Sequence, residues 1–354
     1  MSSIFALRVA ALFCAFAFAA IPSAAPADGG LVLGGVEIAD AGTYAAAKKE
    51  GKLLLYSTFS TNEMQPIAAK FQSETGIPVE LIRLPTAQMF DRATSEFAAH
   101  RLPADYVDTT DITLTQQLAD RGILTGYKVP DFNRLDPVLH DGNGRWYGLL
   151  RTVIAIGINT GVVKPADLPA KWTDLLDPRW KGKLGVASID AGGTSFAFWF
   201  FMRQRYGIDA WRKLAAQNPR IGYSVQPVMT DLARGETAIV AATIDSLIGA
   251  VATGSPVKII LPPAGPAFGL YGGIASTAPH PHAAAVWMNW ITSEHVAPFL
   301  SSLGLYSIRR DAPVPQVAGV KMPGQSEVYN IRASDYLRAY APQIKEWHTI
   351  FGAH

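Results

Sequence analysis

From Lys52 onward the chain alternates short apolar runs with longer amphipathic stretches. Leu53-Leu54-Leu55-Tyr56 is an unbroken apolar run of the length a buried strand needs. Ser60-Thr61-Asn62-Glu63 follows with the spacing of a capping box. A helix opens there, carries Ile67, Ala68 and Phe71 on one face, and ends near Gly76. Residues 78–82 predict the next strand, 87–100 another helix, 105–109 a third strand, and the stretch around Leu114 and Leu118 a further helix. Such a β-α-β-α-β-α series marks a mostly parallel sheet with helices on its faces.

A loop-rich stretch with Gly126, Pro130, Pro137, Gly142 and Gly144 precedes a strongly apolar strand at 152–158, read as the first crossing into a second lobe. The pattern then repeats, with strands at 184–187, 221–224, 238–241 and 257–261 and helices at 194–206, 210–216, 227–234 and 245–252. Pro262, Pro263, Gly265 and Pro266 break regular structure, and the chain is expected to return there to the first lobe. A strand at 270–275 and helices around 283–291 and 295–303 would complete that lobe, followed by an extended, proline-rich 313–324 and one or two closing helices over 333–351. The expected fold class is α/β, with lobe 1 discontinuous (28–154 and 264–354) and lobe 2 formed by 155–263.

Length supports two lobes, because 354 residues is about twice the ~150 residues of an average domain. With 49% hydrophobic and 17% charged residues, each lobe has the means to build a core. A net charge of +2 without a basic block argues against a nucleic-acid partner. At the N-terminus, Arg8 precedes an apolar run at 9–21 and the small residues Ser23, Ala24, Ala25 and Ala27, the layout of a secretory signal peptide over 1–27. Ala25-Pro26-Ala27 fits its cleavage site and makes Asp28 the mature start. That run is shorter than the ~20 residues that span a bilayer. The single cysteine, Cys14, would leave with the signal, and Phe13 before it does not suit a lipid-anchor motif. The mature chain is expected to be soluble, periplasmic, free of disulfides and monomeric.

Three stretches carry a family likeness: Lys52-Leu53-Leu54-Leu55-Tyr56-Ser57-Thr58, then Phe71-Gln72-Ser73-Glu74-Thr75-Gly76-Ile77-Pro78-Val79, then Trp172-Thr173-Asp174-Leu175-Leu176-Asp177-Pro178-Arg179-Trp180-Lys181-Gly182-Lys183. From about Gly51 to about Ile308 the chain resembles the family 1 bacterial extracellular solute-binding proteins, which include ferric-iron, thiamine, phosphonate and organic-anion binders of ABC importers. The resemblance implies a type II periplasmic-binding-protein-like fold, in which two lobes joined by two crossing strands hold a small ligand in the cleft and deliver it to a membrane permease.

Ligands of such folds sit where strand C-termini and helix N-termini converge. That rule nominates Ser57 and Thr58 after the first strand, Thr109 and Thr110 after the third, and Gly193, Thr194 and Ser195 at the start of a lobe 2 helix. Helix-start N–H groups and hydroxyls there suit an anion, although each position also serves as a turn or cap. The segment around Gly193 resembles the Ser/Gly-Thr-Gly stretch that family members set against their ligand, with Ser195 in place of the second glycine. Asp245 follows a lobe 2 strand and is a candidate acceptor or a helix cap. Arg151 precedes the crossing strand, where a bidentate carboxylate or phosphonate contact or a surface ion pair is expected. Tyr271, flanked by Gly269, Gly272 and Gly273, faces either the cleft or the core.

Ferric-binding relatives carry adjacent tyrosines, and none of the 12 tyrosines here adjoins another. His280 and His282 lack a third ligand at zinc-like spacing. No metal or cofactor is therefore expected as a resident group. C-x-x-C, H-E-x-x-H, G-x-S-x-G and P-loop patterns are absent from the sequence, which leaves an exported hydrolase of unfamiliar type as the remaining enzyme class. The sequence points first to a small organic anion as ligand, with ferric iron or a metal complex as the alternative.

Overall fold

The computed structural model describes residues 29–317 and 319–352. The segment 1–27 read as a signal peptide, with Cys14 and the cleavage site before Asp28, lies outside the described residues.

A short antiparallel hairpin, β1 (Leu31–Leu33) and β2 (Val36–Ala39), leads into helix α1 (Ala41–Glu50). The expected alternation follows in β3 (Leu53–Ser57), α2 (Thr61–Thr75), β4 (Val79–Arg83), α3 (Thr86–Ala98), β5 (Tyr106–Thr109) and α4 (Ile112–Asp120). Every residue of β3 is buried because parallel strands flank it, β4 on one side and β5 on the other, and helices cover both faces.

The mid-chain strand is longer than its apolar pattern suggested: β6 runs Tyr147–Asn159 and is buried throughout. Lobe 2 follows in β7 (Leu184–Ala187), α5 (Gly193–Tyr206), α6 (Ile208–Ala216), β8 (Arg220–Gly222), α7 (Val225–Arg234), β9 (Ile239–Thr243), α8 (Ile244–Ala252) and β10 (Val257–Ile260). The chain returns through β11 (Pro266–Ile274), α9 (Pro281–Thr292), α10 (Ala297–Ser302), β12 (Tyr306–Ser307), β13 (Tyr329–Asn330) and α11 (Ala333–Phe351). Pro266 begins a strand instead of ending one, since a first strand residue needs no ladder N–H.

The strand order β4-β3-β5-β11-β6-β9-β7-β8 passes through β6 as its pivot. Up to Val153, β6 pairs with β11; from Ile154 onward it pairs with β9. One strand thus belongs to both lobes, and the change of partner marks the crossing. The return crossing, residues 261–265, joins β10 to β11, and both of those strands also pair with β6. It contains Pro262 and Pro263, and Ala264 adopts a left-handed φ of 56°.

Lobe 1 packs Phe71 edge-on against Trp287 and Trp290, with ring centroids 5.3 and 5.4 Å apart. In lobe 2, Trp199 meets Trp211 at 6.0 Å. Burying aromatic side chains of this size contributes about 1.5–3 kcal/mol each. Helix α11 packs on α4 of lobe 1 and on α5 and α6 of lobe 2, so one apolar cluster runs from Tyr56 and Met89 through Tyr336 and Trp347 to Trp199. Among the described residues no helix is long and apolar enough to cross a membrane.

Candidate functional site

Strand direction determines where the polar groups gather. β5 and β6 both run antiparallel to β11, and β9 runs antiparallel to β6. The C-termini of β3 and β5 therefore point toward the crossing from lobe 1, while those of β9 and its parallel neighbours β7 and β8 point toward it from lobe 2. Thr243, the last residue of β9, sits opposite Ile154, where β6 changes partner.

Two helices start at this edge and meet across it. Glu63 is the third residue of α2 and Asp245 the second of α8, so each carboxyl lies in the first turn of its helix. The positive end of each helix dipole favours a negative charge there by about 0.3–1 kcal/mol. Ser60 donates its hydroxyl to Glu63 Oε2, yet Ser60 Oγ accepts no backbone N–H, so half of the expected capping box is absent. The Glu63 side chain also comes close enough to the Asp245 carboxyl of the other lobe to feel its charge. Burial first, and the Asp245 charge second, push the Glu63 carboxyl up to about 7 against the lowering effect of the Ser60 hydrogen bonds. Glu63 Oε1 is buried with no hydrogen-bond partner.

Asp245 is oriented by hydroxyls. Thr152 of the crossing strand donates to Oδ1 at 3.0 Å, and Thr243 donates to Oδ2 at 2.9 Å. Ser246 Oγ lies 2.8 Å from Thr243 Oγ1. Two neighbouring part-buried carboxyls resist joint ionisation, and a cation between them relieves both the repulsion and the desolvation. Oxygen donors of this kind suit a hard cation.

Ser57, Thr58, Thr109 and Thr110 have partners within lobe 1. Ser57 Oγ accepts from the Phe59 N–H at 3.2 Å, and Thr58 donates its N–H and hydroxyl to Asp108 Oδ1 at 2.7 and 3.1 Å. Burial pushes the Asp108 carboxyl up to about 7, opposed by these donors, and its Oδ2 has no partner. Thr109 bonds the Asp111 carbonyl and the Thr115 hydroxyl, while Thr110 shares a 2.8 Å bond with Thr86. Gly193 is packed so tightly on the other lobe that a Cβ would lie 1.9 Å from the Thr110 carbonyl oxygen, which explains a glycine there without any ligand. Thr194 and Ser195 line a small cavity with Ile154, Phe198 and Val225. Tyr271 is buried, its ring beside Gly148 and Gly269, and burial pushes its hydroxyl up to about 12.

Arg151 is buried as well, with only 2% of its surface exposed. Its guanidinium donates to Asn330 Oδ1 at 2.7 Å, to the Ser307 carbonyl at 2.9 Å and to Gln325 Oε1 at 2.5 Å. It also stacks 5.7 Å from the centroid of the Tyr306 ring, and Nε alone lacks a partner. Burial lowers its pKa. His280 pairs with Asp105 and His282 with Glu50, so each histidine is engaged within lobe 1.

A family model described as bacterial extracellular solute-binding protein matches residues 103–329. The chain belongs to that family. Iron uptake protein A1 of Synechocystis is 31% identical over 147 residues, 40% of this chain and 38% of that protein. The Fe(3+)-binding periplasmic protein of Serratia marcescens is 23% identical over 150 residues, 42% of this chain and 44% of that one. The aligned stretches thus span less than half of either relative. Among solved structures, iron-bound HitA from Pseudomonas aeruginosa superposes with a TM-score of 0.70 at 19% identity, covering 85% of this chain and 99% of that one. AfuA from Actinobacillus pleuropneumoniae with fructose-6-phosphate bound gives 0.68 at 17% identity, covering 86% and 99%. The Trichodesmium protein in complex with iron and citrate gives 0.67 at 21% identity, covering 86% and 100%. At these identities the superpositions establish the two-lobed fold of this solute-binding protein.

The sequence nominates Asp245 as a candidate, but in it Glu63 reads only as a cap and Thr152 only as a strand residue. An acidic residue in the first turn of a helix on each lobe is the signal that could have paired the first two.

Proposed function

We propose that this solute-binding protein captures ferric iron, carried with a chelating oxyanion, and delivers it in the periplasm to the permease of an ABC importer. The observation that carries the reading is the Glu63–Asp245 pair, a negative site built from both lobes and incompletely satisfied without a cation. The relatives whose names specify iron support the same ligand. Iron displaces the organic anion favoured from sequence alone, because Arg151, the cation nominated to receive that anion, is engaged by the C-terminal tail.

Among the described residues no group of three or more His, Cys, Asp and Glu side chains could hold a metal ion. Two carboxylates leave most positions of a hard cation open, and an oxyanion travelling with it fills them. Thr194 and Ser195 at the start of α5 are the natural seat for that oxyanion, since free N–H groups and the helix dipole favour negative charge there. The protein binds and releases without catalysis, closing around its ligand.

Titration with ferric citrate, followed by tryptophan fluorescence and calorimetry, tests the reading. Saturable binding that citrate alone does not produce is expected. Binding of a sugar phosphate without ferric citrate binding would favour instead the phosphate-ester reading suggested by the likeness to AfuA, in the same cleft.

A further inference from the structure

We propose that Thr152 is a positioning residue that makes the Asp245 carboxylate competent for ligand only when the lobes are closed; this rests on the cleft reading above. Three hydroxyls surround Asp245, and they differ in where they come from. Thr243 and Ser246 lie within two residues of it, at the end of β9 and the start of α8, so their bonds travel with lobe 2. Thr152 comes from another part of the fold. It pairs with Phe268 of β11, one position before Val153, the last residue of β6 to pair in lobe 1. Its bond to Asp245 Oδ1 therefore spans the crossing.

Thr152 is 1% exposed, so its hydroxyl is held away from bulk water and directed to Asp245. Asp245 Oδ1 then has one fixed partner and Oδ2 another, which sets the plane of the carboxylate and aims its remaining lone pairs at the Glu63 side of the cleft. When the lobes part, the Oδ1 bond is the one that must lengthen. The carboxylate regains rotational freedom, and the ligand loses a preorganised donor at the moment of release.

Thr152→Val keeps the β-branched shape that suits a strand and removes only the hydroxyl, whereas Thr152→Ser keeps the hydroxyl. With ferric citrate as probe, Thr152→Val is expected to bind about tenfold more weakly, through faster dissociation, with a melting temperature within a few degrees of the parent. Thr152→Ser is expected to restore affinity to within about threefold. Amide hydrogen exchange in the first turn of α8, measured without ligand, should rise in Thr152→Val and not in Thr152→Ser. Unchanged exchange in Thr152→Val, or equal losses of affinity in both variants, overturns the role. If the parent protein fails to bind ferric citrate while exchange responds as expected, the iron reading falls and the positioning role of Thr152 stands.

Discussion

Two charged groups lie near the point where the crossing strand changes lobe, the buried Arg151 on the strand itself and the part-buried Asp245 beside it at the start of α8, and they are handled in opposite ways. Arg151 is surrounded by acceptors from a C-terminal tail more than 150 residues away in sequence, with the Tyr306 ring against it. Across the crossing, Asp245 is set against a second carboxyl, supplied with hydroxyl donors only, and left beside an oxygen of Glu63 that has no partner. The first is a charge whose requirements the chain meets itself, so it ties the tail to the sheet. The second is a charge whose requirements the fold leaves open, so it has capacity for a ligand. Under the proposed function, uncompensated charge is a better guide to the site than buried charge as such.

The largest effect should come from breaking the satisfied side. Arg151→Ala leaves one buried and two part-buried acceptors without a donor and opens a void, and should cost about 3 kcal/mol of stability. Urea unfolding measures this, and ferric citrate affinity should stay within about threefold of the parent. A collapse of affinity at unchanged stability would place Arg151 in the ligand site and erase the contrast.

Breaking the open side should do the reverse. Glu63→Gln combined with Asp245→Asn should weaken ferric citrate by about 100-fold, equivalent to ~2.7 kcal/mol, as read by calorimetry. Stability should hold or rise, because a like-charge contact has been removed. A loss of stability comparable to that of Arg151→Ala would mean that the pair is structural.

Asp108 is the intermediate case, with donors on one oxygen and none on the other. Its folded pKa of about 7 lies above the unfolded value near 4, so between those limits the native state binds more protons than the unfolded one. The stability contributed by this group is full at the acid end of the window and is lost as pH rises through about 7. Glu63 acts with the same sign. Asp108→Asn should therefore flatten part of the slope, reducing the difference in unfolding free energy between pH 5 and pH 8 by about 1–2 kcal/mol. An unchanged slope would show that the Thr58 donors already satisfy the ionised form.

The fold was legible because periodicity reports burial: unbroken apolar runs became central strands, and helical spacing became the faces packed on them. Residues 53–56 and 184–187 illustrate this, falling within a residue of β3 and β7. The site was only half legible. Strand-end position nominated Asp245, whereas Glu63 lies in the other lobe, 182 positions earlier, and only the fold brings the two close together. Arg151 drew notice for its place before the crossing, yet its surroundings come from Ser307, Gln325 and Asn330, which no local pattern connects to it. Gly193 suggested close approach, and the approaching group is the Thr110 carbonyl. Local propensity sets elements; long-range partners decide which polar groups remain free.

The smallest expected effect separates the two crossings. β6 crosses as a regular, fully buried strand, whereas the return at 261–265 holds Ala264 at a φ of 56°, a conformation that costs an L-residue with a Cβ about 1 kcal/mol. Ala264→Gly removes that strain and adds unfolded-state entropy, so the net gain should be only about 0.5 kcal/mol, seen as a slightly raised unfolding midpoint. Ala264→Val, β-branched and less tolerant of positive φ, should lose about 1 kcal/mol or more. If bending between lobes is concentrated in the return segment, the glycine variant should also broaden the distribution of lobe separations measured by small-angle scattering without ligand. If both variants leave stability and scattering unchanged, then β6 and the return share the bending equally, and the two crossings are mechanically alike despite their different backbones.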